Sequence, residues 1–188
     1  MKPQTAEYRR SGIAAGAASL LLAHAALAAG TARTAEAPTP AVWQEHKTSI
    51  VYFGLTSTYS CTGIESKIRN ILQLLGARKD VTADASACGA NGMSMGHSLN
   101  VNIRFFSLAP ADPASAAPHV MAGWAPVQIA PNHPGFMGDG DCELADQLHE
   151  LIGKNFSSRN LDYRASCTPY ENTLNSYSMH GEFLKLHE

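Results

Sequence analysis

The sequence predicts an α+β domain in which two β-α-β units share one sheet, a ferredoxin-like sandwich with an extra strand. Three observations carry this. The stretches from Cys61 (CTGIESKIRNILQLLGARKDVTADASAC) and Cys142 (CELADQLHELIGKNFSSRNLDYRASC) each open on a cysteine, carry a helical apolar pattern and close on a cysteine. A run rich in β-branched and aromatic residues precedes each, SIVYFGL at 49–55 and WAPVQIA at 124–130, as strands prefer. Between the units lies LNVNIRFFSL (99–108), where Leu99, Val101, Ile103 and Phe105 alternate with Asn100, Asn102 and Arg104. That period of two marks a strand with one buried face.

The chain begins with a targeting pattern. Lys2, Arg9 and Arg10 form a basic start, an Ala- and Leu-rich apolar run spans 13–27, and Ala26-Leu27-Ala28 fits the small-x-small cleavage rule. Residues 1–28 are therefore expected to be a secretory signal peptide, cut after Ala28. The run is 15 residues long and contains His24, short of the roughly 20 that a bilayer crossing needs. Lys2, Arg9, Arg10 and Glu7 leave with this segment, so 11 of the 14 basic and 15 of the 16 acidic residues remain. With a net acidic chain and no basic run, nucleic acid is not an expected partner. No second long apolar run exists, so no integral membrane segment is expected after cleavage.

Residues 29–42 (AGTARTAEAPTPAV) hold little that can be buried and are expected to be a disordered lead-in. A single disulfide-bonded α/β domain is then expected over 43–188. Trp43 and His46 fall just before the first expected strand. Trp43 is expected to cover an end of the core and His46 to lie at the surface.

In the first unit Ile64, Ile68, Ile71 and Leu72 follow i, i+4, i+7, i+8, and Leu144, Leu148, Leu151 and Ile152 repeat this 80 residues later. Each set is one face of an amphipathic helix. Thr62 and Glu65 form a candidate capping box. Asp139 or Asp141 can cap the second helix, with Glu143 favourable in its first turn. Gly76 and Gly153 stand where a left-handed C-terminal cap would fall. Arg78 and Arg159 occupy similar places after the two helices.

Cys61, Cys88, Cys142 and Cys167 are an even set outside the signal segment, which in an oxidising compartment argues for two disulfides. A helix packing back on its own strand would join Cys61 to Cys88 and Cys142 to Cys167. Cross-pairing of the units and a four-cysteine zinc site are the alternatives; the zinc site lacks the close cysteine pairs of compact motifs. No Cys-x-x-Cys occurs. Residues 109–119, with three prolines, and 132–140 read as loops. The segment after Cys167 is compatible with a short helix from about Pro169 or with an extended tail ending in FLKLHE.

The combination of VYFGLTSTYSC, a helix ending in LLGAR and a later GDCEL helix resembles a group of uncharacterised secreted proteins of proteobacteria. The resemblance covers most of the mature chain. It implies a periplasmic setting and attaches no activity, cofactor or catalytic residue.

Three functional readings compete. The first is a periplasmic binding or protein-interaction module, for which Tyr52, Phe53, Tyr59 and Phe106 are candidates for an open sheet face. The second is a copper site in NGMSMGH (91–97), where Met93, Met95 and His97 alternate. Extended, they share one face, and Cu(I) accepts thioether sulfur and imidazole nitrogen. Other close pairs are His119 with Met121, His133 with Met137, and Met179 with His180. Met121 is also a candidate for the core, since methionine fills irregular gaps. The third reading is a hydrolase. Gly92-Met93-Ser94-Met95-Gly96 matches Gly-x-Ser-x-Gly, with Asp139 or Asp141 and His149 following in order. A nucleophile elbow needs a helix after its serine, whereas here a strand follows, and His149 falls mid-helix, facing away from the leucine stripe. The run GDGD (138–141) lacks the ligand spacing of a calcium loop and reads as a turn and cap.

Overall fold

The computed structural model describes residues 36–88, 98–112, 118–171 and 175–187. The expected signal peptide, the first part of the lead-in, and Ser94 with Met93, Met95 and His97 lie outside the described residues.

The elements follow in the order β1 (Thr39–Tyr52), α1 (Cys61–Leu74), β2 (Thr82–Ser86), β3 (Leu99–Pro110), β4 (Val120–Ile129), α2 (Cys142–Asn155), β5 (Ser158–Ser166) and β6 (Ser176–Leu186). The strands form one antiparallel sheet ordered β2-β3-β1-β4-β6-β5. In each half a β-α-β unit is split by the strand that follows it: β3 lies between β1 and β2, and β6 lies between β4 and β5. The chain is therefore β-α-β-β twice over. What the sequence presents as one additional central strand is the fourth element of the first repeat. Its counterpart, β6, is built from the C-terminal segment that the sequence left open between helix and tail.

Both helices cover the same face of the sheet. Their stripes, Ile64, Ile68, Ile71 and Leu72 with Leu144, Leu148, Leu151 and Ile152, join one core with Val101, Ile103, Phe105, Val127, Ile129 and Phe183. β3 alternates as its sequence requires: Leu99, Val101, Ile103 and Phe105 are buried and Asn100, Asn102 and Arg104 are exposed. On the opposite face a second, small cluster of Ala41, Leu108, Ala122 and Leu184 packs against Trp43 and Trp124. It obeys the repeat, since Trp43 pairs with Leu108 across β1 and β3 and Trp124 with Leu184 across β4 and β6. The two arginines spaced after the helices also correspond. Arg78 lies 5.9 Å from the Trp43 ring and 3.6 Å from Phe106, and Arg159 lies 4.5 Å from the Trp124 ring, all within cation-π range.

Within the sheet, among the described residues, the halves pair along three residue pairs, Thr39 with Ala122, Pro40 with Met121 and Ala41 with Val120. From there β1 and β4 run apart in opposite directions. Between Val42 and Tyr52, β1 is paired with β3 on one side only among the described residues.

Several local expectations are corrected. β1 starts at Thr39, so 39–42 of the lead-in is strand and Trp43 and His46 lie within it, on opposite faces. The start of β1 is needed as strand because Ala41 closes the seam to β4, where it is fully buried. Helix α1 is capped by Ser60, whose Oγ accepts from Gly63 N at 3.1 Å, and not by Thr62. Glu65 accepts from Ala85 N of β2 at 2.9 Å, so its carboxylate ties the helix to the edge strand. Asp141 stands at the N-cap position of α2 without a side-chain cap bond, and Gly153 is inside α2. Met121 is 49 % exposed and not core.

Gly76, at φ +100°, does follow α1 in a left-handed conformation, and a Cβ there would lie 2.8 Å from Lys185 Cγ and 3.2 Å from the Leu184 carbonyl. Gly76→Ala is expected to destabilise by about 1–3 kcal/mol. Gly153 has nothing within 4 Å of that position. Gly153→Ala is expected to stabilise by up to about 1 kcal/mol through helix propensity. Urea midpoints moving in the same direction for both variants would contradict this assignment of the two glycines.

Candidate functional site

Helix α2 runs beside the unpaired edge of β1, and polar bonds close the space between them at both ends. At the first end the Glu143 carboxylate accepts from Phe53 N at 2.7 Å and Leu55 N at 2.5 Å, just past the end of β1. At the other end Ser107 Oγ donates to the Asn155 carbonyl at 2.6 Å and lies 2.9 Å from His46 Nε2. Because the hydroxyl proton of Ser107 is used on Asn155, His46 Nε2 donates to Ser107 Oγ.

Between these closures lies a crevice of about 310 Å³, lined by Thr48–Val51 of β1 and by α2 from Asp146 to Asn155. Strand geometry orients its floor. Phe53 N points to α2, so by the two-residue alternation of a strand the N–H groups of Val51 and Ser49 point the same way. On the helix side Gln147 stands one turn after Glu143, and its Oε1 is buried without a hydrogen-bond partner. A buried orphan acceptor is rare in a folded protein and calls for an explanation. The crevice therefore presents backbone donors and acceptors on one wall and an amide side chain on the other. Asp146, Glu150 and Lys154 line its helix side; Lys154 pairs with Glu150 at 3.3 Å on the surface, leaving the rim acidic.

His46 is stacked on Phe105 at 5.0 Å, and burial lowers its pKa below the usual imidazole value. A histidine depressed in the fold contributes stability that is present above its unfolded value and lost as pH falls through the lower, folded one. Unfolding midpoints are thus expected to drop on going from pH 7.5 to pH 5. His46→Gln is expected to flatten that slope; an unchanged slope would remove His46 as its source.

A second polar cluster ties the two repeats together. Asp141 accepts from Lys67 Nζ at 2.5 Å, from Gly138 N at 2.7 Å and from the Tyr59 hydroxyl. Tyr177 OH donates to the Gly138 carbonyl at 2.9 Å, and Thr56 Oγ1 donates to the Gly140 carbonyl at 2.8 Å. Burial opposes both charges, pushing the Asp141 carboxyl up and the Lys67 ammonium down. The close ion pair and the Gly138 N–H work against that shift. Every member is engaged with another protein group, which makes this a structural clasp.

Of the residues read from sequence as a hydrolase set, Ser94 lies outside the described residues. Asp141 is held by Lys67, and His149 stacks on Tyr163 at 4.1 Å. Tyr52, Phe53, Tyr59 and Phe106 form no common face. Tyr52 is buried against Tyr59, Phe106 lies under Arg78 on the other side of the sheet, and Phe53 alone is half exposed. Among the described residues no three His, Cys, Asp or Glu side chains are placed to hold a metal ion, and no helix is long and apolar enough to cross a membrane. The disulfides are Cys61–Cys88 and Cys142–Cys167, as the two-unit reading expects. Gln147 and the strand edge were missed. The available signal was polar spacing on α2, Glu143 and Gln147 at i, i+4 beside the leucine stripe.

Fold and crevice together define a two-disulfide α+β domain of repeated β-α-β-β units with an open strand edge. No family model, no curated protein and no solved structure matches the chain.

Proposed function

We propose that the chain is a secreted, periplasmic binding module that takes an extended polypeptide segment along the free edge of β1, beside α2. The observation that carries this is the unpaired run of β1 facing the orphaned Gln147 amide. Strand addition uses such an edge: main-chain hydrogen bonds supply affinity and flanking side chains supply selection. An exposed edge is otherwise a liability, and here the crevice narrows access to a single chain. The acidic rim favours neutral or basic segments. The two disulfides and the targeting pattern of residues 1–28 support the compartment.

The test is selection of peptides of about 12 residues on the oxidised mature chain, followed by amide hydrogen exchange. Selected peptides are expected to protect the Ser49 and Val51 amides. Val51→Pro removes one edge donor without touching the β3 pairing, and is expected to abolish binding while the variant still folds. Peptides that bind equally well to that variant, or that protect only other strands, would remove this reading.

A further inference from the structure

Away from the crevice, the structure places His119, Met121 and His187 together at the outer end of the β4–β6 ladder. The last pair in register is Ala122 with Leu186, and the next pair outward is fixed by His187 N donating to the Met121 carbonyl at 2.9 Å. A Cβ on Gly123 would lie 3.8 Å from His187 Cδ2, so the imidazole leans over the face that Gly123 presents. Met121 shares that face by strand alternation, and the exposed His119 stands one residue before β4 begins, two residues from Met121. Neighbouring strands are about 5 Å apart and alternate residues about 7 Å, so the three side chains extend from adjacent points. All three are exposed, and none of their side chains has a hydrogen-bond or ion-pair partner among the described residues.

We infer that His119, Met121 and His187 form a surface site for a soft monovalent metal ion, copper(I) or silver(I). Two imidazoles and a thioether are a donor set that suits such ions. Met121 is half exposed and belongs to neither core cluster, and metal ligation gives its thioether a role. The local charge selects the ion's valence. Lys185 shares the open hollow with His187 and Gly123, and among the described residues its lining includes no carboxylate. A neighbouring ammonium penalises a dication about twice as heavily as a monocation by Coulomb's law. Silver(I) and copper(I) carry one charge, whereas zinc(II) and nickel(II) carry two. In the oxidised protein all four thiols are in disulfides, so soft coordination falls to thioether and imidazole.

Silver(I) is the practical probe, because it needs no reductant that would open the disulfides. Titrated as the nitrate in chloride-free buffer, it is expected to bind this site with one ion and to shift the Met121 methyl and the His119 and His187 ring resonances together. His119→Ala, Met121→Leu and His187→Ala are each expected to weaken that binding by at least about ten-fold, with unchanged circular dichroism. Zinc(II) is expected to leave the same resonances in place. A variant with Met93→Leu, Met95→Leu and His97→Ala separates this site from the loop at 91–97 and is expected to keep the ion. Silver affinity and resonances unchanged by Met121→Leu and His187→Ala, or silver binding lost in the loop variant alone, would overturn the assignment.

Discussion

Asp141→Ala is expected to lower the stability of the oxidised protein by about 3 kcal/mol. The carboxylate is nearly fully buried, and it receives Lys67, the Tyr59 hydroxyl and the Gly138 amide. Removing it leaves an ammonium, a phenol and a backbone N–H without their acceptor. The Lys67 side chain keeps 20 % of its surface exposed, so it can reach water, which holds the cost near the low end of the range for broken buried pairs. Lys67→Met in the same background removes the stranded charge and is expected to restore part of the loss. The double-mutant cycle isolates the pair from the two other hydrogen bonds. Urea unfolding is the measurement. A loss under about 1 kcal/mol would show that the pair behaves as a surface ion pair.

Opening either disulfide is expected to cost about 3.5 kcal/mol by chain entropy, the separations being 27 and 25 residues. Cys61→Ala with Cys88→Ala, and Cys142→Ala with Cys167→Ala, are therefore expected to give similar losses, because each bridge closes the same loop in its own repeat. Removing both is expected to cost about 7 kcal/mol, comparable to the whole stability of a small domain, and so to leave the chain unfolded at 37 °C. Thermal unfolding of the four-cysteine variant and its parent decides it. A cooperative transition retained near the parental temperature would show that the core alone suffices.

Much of the fold was legible because its signals are local. The four-residue stripes of α1 and α2 fix which helix face is buried, and the alternation of Leu99 to Phe105 fixes the orientation of β3. The cysteine framework was legible for a related reason. Each bridge joins the start of a helix to the strand after it, so the pairing follows from the repeat. Even Arg78 and Arg159, noticed only as equally spaced, prove to make equivalent contacts with Trp43 and Trp124.

The C-terminal strand was not legible. Ser176–Leu186 is a central strand between β4 and β5, yet Gly181 and His180 interrupt its pattern. Gly181 sits in a tight approach, since a Cβ there would lie 3.2 Å from Leu161 Cα, a contact visible only across the sheet. Met121 went the other way. Its type suggested core, but its place at the three-residue seam between the halves leaves it half exposed. The crevice was hidden for the same reason: its walls, Thr48–Val51 and Asp146–Asn155, are about 100 residues apart in sequence.

By itself, then, the sequence determined the two helices and their buried faces and the strand after the first unit, and it pointed to the disulfide partners, because periodicity and spacing encode burial within a few turns of chain. Tertiary structure alone decided that β6 completes the second repeat and that β1 and β4 pair over three residues. It also left the edge of β1 beside Gln147 unpaired. These outcomes depend on which strand finishes next to which, and strand pairing is settled by contacts between residues distant in the chain, whose individual types carry little sign of their neighbours.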